Sequence, residues 1–210
     1  MEIQFWHDRW ENKEIGFHLS KANPLLVENL AALDLANHSR IFVPLCGKTR
    51  DIAWLLSQGH NIIGAELSLL AIEDLFSELG VTPTKVQTPT HTHFSAPNID
   101  IFVGDIFTLT PDDIGKIDMI YDRAALVALP DAMRSQYTKH LTALTKSAPQ
   151  LLICFEYDQT ALNGPPFSIQ KSEIHRQYKN AYTIKHLTSV KMEELLKGTC
   201  EATETVWNLY

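Results

Sequence analysis

Few residues in this chain have both the type and the placement to do chemistry, and the most telling of them is Glu66. It closes an apolar run, Asn61-Ile62-Ile63-Gly64-Ala65. An earlier run, Arg40-Ile41-Phe42-Val43, leads into the turn Pro44-Leu45-Cys46-Gly47-Lys48-Thr49-Arg50-Asp51. An acid ending the second strand of a doubly wound sheet accepts hydrogen bonds from the two hydroxyls of a ribose. Asp105-Ile106 follows a third run and offers a polar and an apolar group to the two sides of an adenine ring. Asp122-Arg123 ends a fourth run, and two charges at a strand's carboxyl end in a pocket face a ligand. The chemistry these residues share is that of gripping a nucleoside.

The turn after the first run keeps only Gly47 of the Gly-x-Gly-x-x-Gly pattern that lets a backbone approach a pyrophosphate. An adenosine ligand without phosphates needs no such set. S-adenosylmethionine, with its sulfonium and amino-acid tail, is a ligand of that kind. Trp6, Trp10 and Phe17 suggest a helical lid whose π-faces cover a cation or a flat ring. His91 and His93 alternate with threonines and are expected to be solvated rather than to bind metal. Cys46 has no histidine partner in the pattern and is expected to be a small buried filler.

The elements that must position these groups alternate regularly. Trp6 and Trp10 share one face of a first helix, and Asn23-Pro24 starts another with Leu26, Leu30 and Leu33 as its stripe. After the turn, Ile52, Ala53, Leu55 and Leu56 run at helical spacing to Gly59. Ser68 caps a helix carrying Ile72, Leu75, Phe76 and Leu79, and Gly80 ends it. Residues 81–98, rich in proline and threonine, read as a long surface loop or a short irregular excursion. Strands are expected at Ile99–Val103, Ile117–Asp122 and Leu151–Tyr157, with a helix opening at Pro130-Asp131. Asn163-Gly164-Pro165-Pro166 must be a rigid turn, and Tyr182–Ile184 and Thr205–Tyr210 supply two last strands. Such alternation predicts an α/β fold, a mostly parallel sheet with helices on both faces.

Composition bounds the rest. The 210 residues suit a single domain over 1–210, with a helical cap region at 1–38 and a core at 39–210. A net charge of −7 argues against nucleic acid or an anionic membrane as partner. No apolar run approaches the roughly 20 residues of a membrane span, and the charged N-terminus is no secretory signal. The three scattered cysteines fit neither zinc nor a disulfide framework, which suggests a reduced cytoplasmic setting. A monomer is the expected state.

The sequence resembles the bacterial type of thiopurine S-methyltransferase, within the class I S-adenosylmethionine-dependent methyltransferases. The resemblance rests on Trp6-His7-Asp8-Arg9-Trp10, Gly16-Phe17-His18, Phe42–Lys48, Gly59-His60, Gly64-x-Glu66, Ile117–Ala128 and Gly164-Pro165-Pro166-Phe167. It implies a Rossmann-like sheet of seven strands whose last runs antiparallel, beneath an N-terminal helical lid. It implies that Trp6 and Trp10 close over S-adenosylmethionine and that Leu45 and Gly47 line its methionine end. Glu66 would hold the ribose hydroxyls, and Asp105 and Ile106 would flank the adenine. Arg123 would lie between cofactor and acceptor, and Phe17 would touch the flat acceptor.

The implied reaction is in-line methyl transfer to the sulfur of a thiopurine or similar thiol, a small-molecule partner. It depends on alignment and a dry pocket rather than on a dedicated general base. Arg123 would favour the acceptor thiolate. Rival readings are a methyltransferase acting on selenium or tellurium species, halide or small thiols; an NAD-dependent oxidoreductase; and a cofactor-binding module without turnover. Two departures bear on the acceptor. The stretch Lys191–Cys200 is shorter than in the family and lacks its arginine, and Tyr121 stands where relatives carry a Trp.

Overall fold

The structure, a computed structural model, describes residues 3–12, 14 and 19–210. Phe17, expected to meet the acceptor, lies outside the described residues, as do Gly16 and His18. The chain divides into two compact units, Met1–Met119 and Ile120–Tyr210.

The first unit carries α1 (Ile3–Glu11), α2 (Pro24–Asn29), β1 (Arg40–Pro44), α3 (Arg50–Ser57), β2 (Asn61–Glu66) and α4 (Leu69–Leu79). It continues through β3 (Thr84–Gln87), β4 (His91–Ala96), β5 (Ile99–Gly104) and α5 (Pro111–Ile114). Its strands lie in the order β3-β4-β5-β2-β1. β1, β2 and β5 are parallel, with Val43 opposite Gly64 and Glu66 opposite Val103. Parallel strands are covered on both faces, so they read as unbroken apolar runs. Ile41, Phe42, Ile62, Ile63 and Ile101 are accordingly inaccessible, and Ile52 and Leu55 of α3 and Ile72 of α4 share that burial. The helix boundaries follow the expected caps. Asn23 accepts the Leu25 N–H at 2.8 Å ahead of Pro24, Ser68 accepts the Ala71 N–H at 3.2 Å, and Gly80 turns left-handed at φ 69°.

The second unit holds β6 (Met119–Arg123, which straddles its start), α6 (Asp131–Leu144), β7 (Gln150–Glu156), α7 (Lys171–Tyr178), β8 (Ile184–Lys191) and β9 (Thr203–Leu209). The order is β6-β7-β9-β8; β6 and β7 are parallel, and β9 is antiparallel to both β7 and β8. The antiparallel last strand is as the resemblance implied. The Gly164–Pro165 and Pro165–Pro166 peptides are both cis.

The described residues form nine strands, not seven. The additional pair that sequence reading placed in a loop is the hairpin β3–β4. Its three prolines, at 83, 89 and 97, all fall outside the strands, where no ladder donor is required. The threonines between them favour a pleated backbone. His91 is consequently buried rather than solvated, and His93 half-buried. His91 is buried edge-on to Phe102, and His93 stacks on the same ring at 4.6 Å and bonds Asp100 at 2.8 Å. Antiparallel pairing sets His93 directly opposite Phe102, which brings both rings to it. The penultimate strand also runs longer and later than the expected Tyr182–Ile184.

Candidate active site

In the first unit, the turn from β1 to α3 is tight because Leu45 (φ 47°) and Gly47 (φ 49°) are both left-handed. Glycine adopts this freely, whereas a leucine there carries strain of order 1–3 kcal/mol, of the kind that gathers at ligand clamps. The turn is tied to β2 by the Cys46 N–H, which donates to Ala65 O at 3.0 Å. Gly64 is needed beside it: a Cβ there would lie 2.5 Å from Ile101 Cδ1 and 3.0 Å from Cys46 Sγ. Cys46 is thus the packed filler expected of it. Burial and the Glu66 charge push its thiol well up, keeping it protonated.

Glu66 sits at the end of β2, only 6% exposed. Its Oε2 accepts the Gly47 N–H at 2.7 Å, and Oε1 accepts those of Leu67 and Ser68 at 2.9 Å. A carboxylate has about four lone-pair sites, so these three bonds leave Oε2 with acceptor capacity. Burial raises the Glu66 pKa; the three N–H bonds and the nearby His7 of α1 pull it back. The acid is held ready by the turn and by its own strand end, an arrangement suited to a pair of ligand hydroxyls.

Asp105 and Ile106 divide as their types suggest. Asp105 is exposed and uses Oδ1 to accept the Phe107 N–H at 3.0 Å, while Ile106 is buried. On α1, Trp10 is 5% exposed and Trp6 half-buried against Phe5, edge to face at 5.2 Å. The helix packs on α4, the element that Ser68 starts just past Glu66. The structure therefore gathers Trp6, Trp10, Leu45, Gly47, Glu66, Asp105 and Ile106 into the first unit.

Two supports of this turn escape sequence reading. Lys48 Nζ bonds Asp74 at 3.0 Å and Glu78 at 2.9 Å, both on one face of α4. Burial opposes the Lys48 charge, yet the bonds to Glu78 and Asp74 prevail and raise its pKa. Asp51, 1% exposed, accepts the Asn23 N–H at 2.7 Å and the Thr49 hydroxyl at 3.0 Å. The acids four apart on α4 were the only signal for the first; for the second there was none.

In the second unit, the Asp122-Arg123 pair divides. Asp122 is wholly buried and points inward, accepting the Leu126 N–H at 3.1 Å and the Tyr137 hydroxyl at 2.8 Å. Desolvation pushes its pKa up to about 6, despite those bonds. Arg123 is half-buried at the end of β6, just before the left-handed Ala124 (φ 62°). Burial raises the pKa of Glu204 on β9, and the Arg123 charge lowers it. Within the stretch Lys191–Cys200, Lys197 Nζ donates to Pro165 O at 2.6 Å.

Comparison with known proteins shows the family and the fold. A family model described as Thiopurine S-methyltransferase (TPMT) matches residues 1–208. A thiopurine S-methyltransferase of Xanthobacter autotrophicus is 55% identical over 210 residues, covering 100% of this chain and 99% of the relative. One from Gluconobacter oxydans is 48% identical, covering 97% and 92%. Among solved structures, the chain is similar to a Burkholderia thailandensis 1,6-didemethyltoxoflavin-N1-methyltransferase with bound S-adenosylhomocysteine. The TM-score is 0.67 at 14% identity, covering 99% of this chain and 86% of that one. A second likeness is to an S-adenosylmethionine-dependent methyltransferase from Anabaena variabilis, with TM-score 0.62 at 16% identity, covering 99% and 95%. These two likenesses show the fold.

Proposed function

The chain belongs to the thiopurine S-methyltransferase family, S-adenosylmethionine-dependent enzymes, and on that premise we propose that it methylates the sulfur of a thiopurine or a similar aromatic or heterocyclic thiol. The observation that carries this reading is the buried Glu66 carboxylate, bonded to Gly47 yet with acceptor capacity left on Oε2. Residues around it suit an adenosine without phosphates: one glycine in the turn, an apolar Ile106 and an outward Asp105. When bound, S-adenosylmethionine supplies an activated methyl group on a sulfonium, ready for displacement by a thiolate.

The chain's own residues then bind and align. Glu66 holds the ribose hydroxyls, Asp105 and Ile106 flank the adenine, and Leu45 and Gly47 line the methionine end. Trp6 and Trp10 exclude water, which strengthens every charge interaction in the pocket. Arg123 stabilises negative charge on the acceptor sulfur, favouring the thiolate over the thiol. No side chain needs to take up a proton in the transfer step itself. Positioning at near-attack distance supplies the rate. The whole chain acts as one methyltransferase domain in a reduced cytoplasmic setting, as a monomer, on a small-molecule thiol.

Calorimetric titration with S-adenosylhomocysteine, followed by turnover assays with a thiopurine, selenite, tellurite, halide and a small aliphatic thiol, tests the proposal. Tight binding and the highest kcat/KM on the thiopurine are expected. Binding with preferred turnover of an oxyanion or halide would reject the acceptor. Binding of NAD in place of S-adenosylhomocysteine would reject the whole reading.

A further inference from the structure

Asp122 is a buried acid to which methyl transfer assigns no task. We propose that it is a positioning residue for the acceptor side, holding Arg123 in place and, through Val127, the turn Gly164–Phe167. The inference rests on the role given to Arg123 above.

Its carboxylate clasps the chain on both sides of that arginine. Asp122 precedes Arg123 directly, and its Oδ1 accepts the N–H of Leu126, so residues 123–125 are closed into a loop. That loop contains Ala124 in the left-handed region, a conformation an alanine keeps only when its surroundings impose it. The Tyr137 hydroxyl, from α6, fixes the other oxygen at 2.8 Å.

From the loop, bonds run on without a break. Val127 O accepts the Phe167 N–H at 2.6 Å. Pro166 O accepts the Tyr157 hydroxyl and Pro165 O accepts Lys197 Nζ, each at 2.6 Å. The segment that carries Arg123 and the turn beside Lys197 are therefore one hydrogen-bonded assembly, with Asp122 at its root. Among the described residues, Tyr137 on α6, Cys154 on β7 and Tyr178 on α7 are titratable groups that the Asp122 charge acts on. Hydrogen-bond donors on Leu126, Tyr137 and Ala125 hold its charge, and burial still pushes its pKa up to about 6. Protonation just below neutral pH removes the charge assistance from the Leu126 and Tyr137 bonds, weakening the clasp locally even as it relieves the buried charge.

The test combines kinetics with hydrogen exchange on Asp122→Asn, Tyr137→Phe, Arg123→Ala and the Asp122→Asn/Arg123→Ala double variant. For Asp122→Asn, kcat/KM for a thiopurine should fall at least tenfold while the affinity for S-adenosylhomocysteine stays within twofold. The acid limb near pH 6 in the unsubstituted enzyme should vanish. The double variant should be no worse than Arg123→Ala alone. Independently of any acceptor, amides of 124–128 and 163–167 should exchange faster in Asp122→Asn and in Tyr137→Phe. Unchanged exchange in those segments would overturn the proposal, as would unchanged kinetics in Asp122→Asn beside an impaired Arg123→Ala. Unimpaired Arg123→Ala would instead reject the role of Arg123. Should Asp122→Asn fail to fold, exchange in Tyr137→Phe and the acid limb of the unsubstituted enzyme decide.

Discussion

At the scale of single residues, two buried carboxylates divide the work. Burial raises the Glu66 pKa and three backbone N–H groups pull it back, and its spare acceptor capacity is what a ribose diol requires. Replacing it with Gln halves the acceptor set and removes a charge-assisted bond worth roughly 1.5–3 kcal/mol. Affinity for S-adenosylhomocysteine should fall by about ten- to a hundredfold by calorimetry, and unaltered affinity would remove Glu66 from the site. Asp122 is likewise raised by burial, to about 6, and its charge costs stability. Its folded pKa of about 6 lies above the unfolded value of roughly 3.9. The native state therefore binds the extra proton between these values, and stability is lost as pH rises through that window. About 3 kcal/mol is at stake. On going from pH 7.5 to 4, the unsubstituted protein should gain this much over Asp122→Asn in urea unfolding. A gain in the other direction would show Asp122 to be stabilised as an anion. Sequence made the placement of Glu66 at the end of β2 legible, because an apolar run closed by an acid marks a strand end. It left Asp122 beside Arg123 as a matched pair, since only the fold turns one inward to Tyr137 and leaves the other half-buried.

At the scale of elements, the turn between β1 and α3 is held by more than its own backbone. Lys48 joins it to α4 through Asp74 and Glu78, and its side chain is only 14% exposed. Lys48→Met keeps the length of the side chain and removes the charge, leaving Asp74 without this partner and Glu78 with Arg50 at 3.1 Å. Exposed pairs of this kind contribute about 0.2–1 kcal/mol, and this partly buried one stands at the upper end. The expected result is a melting temperature lowered by 2–4 °C and affinity for S-adenosylhomocysteine reduced several-fold. Loss of stability with affinity intact would confine Lys48 to the scaffold. The helices were readable from caps and stripes: Ser68 and Gly80 bound α4 where pattern and φ agree. The hairpin β3–β4 was not, because proline and threonine signal a loop and a short edge hairpin equally well. Its existence is decided by pairing of β4 with β5, a long-range fact that includes the stacking of His93 on Phe102.

At the scale of the molecule, the residues proposed for the donor and those proposed around Arg123 come from different halves of the chain. Trp6, Trp10, Leu45, Gly47, Glu66, Asp105 and Ile106 belong to the unit ending at Met119, and Arg123 with the 163–167 turn to the unit beginning at Ile120. Among the described residues no helix is long and apolar enough to cross a membrane. The proposed reaction brings together two small molecules, and hydrogen exchange can follow each separately. Excess S-adenosylhomocysteine stabilises the native state by about 2.7 kcal/mol at a hundred times its Kd, and locally the slowing should concentrate in 44–48, 64–68 and 104–107. A thiopurine added to that complex should then slow 123–128 and 163–167, which the first ligand leaves nearly unchanged. Equal protection of both sets by S-adenosylhomocysteine alone would mean that donor binding already orders the acceptor side. The order of binding would then be built into the fold, and the clasp at Asp122 would answer to the donor rather than to the acceptor.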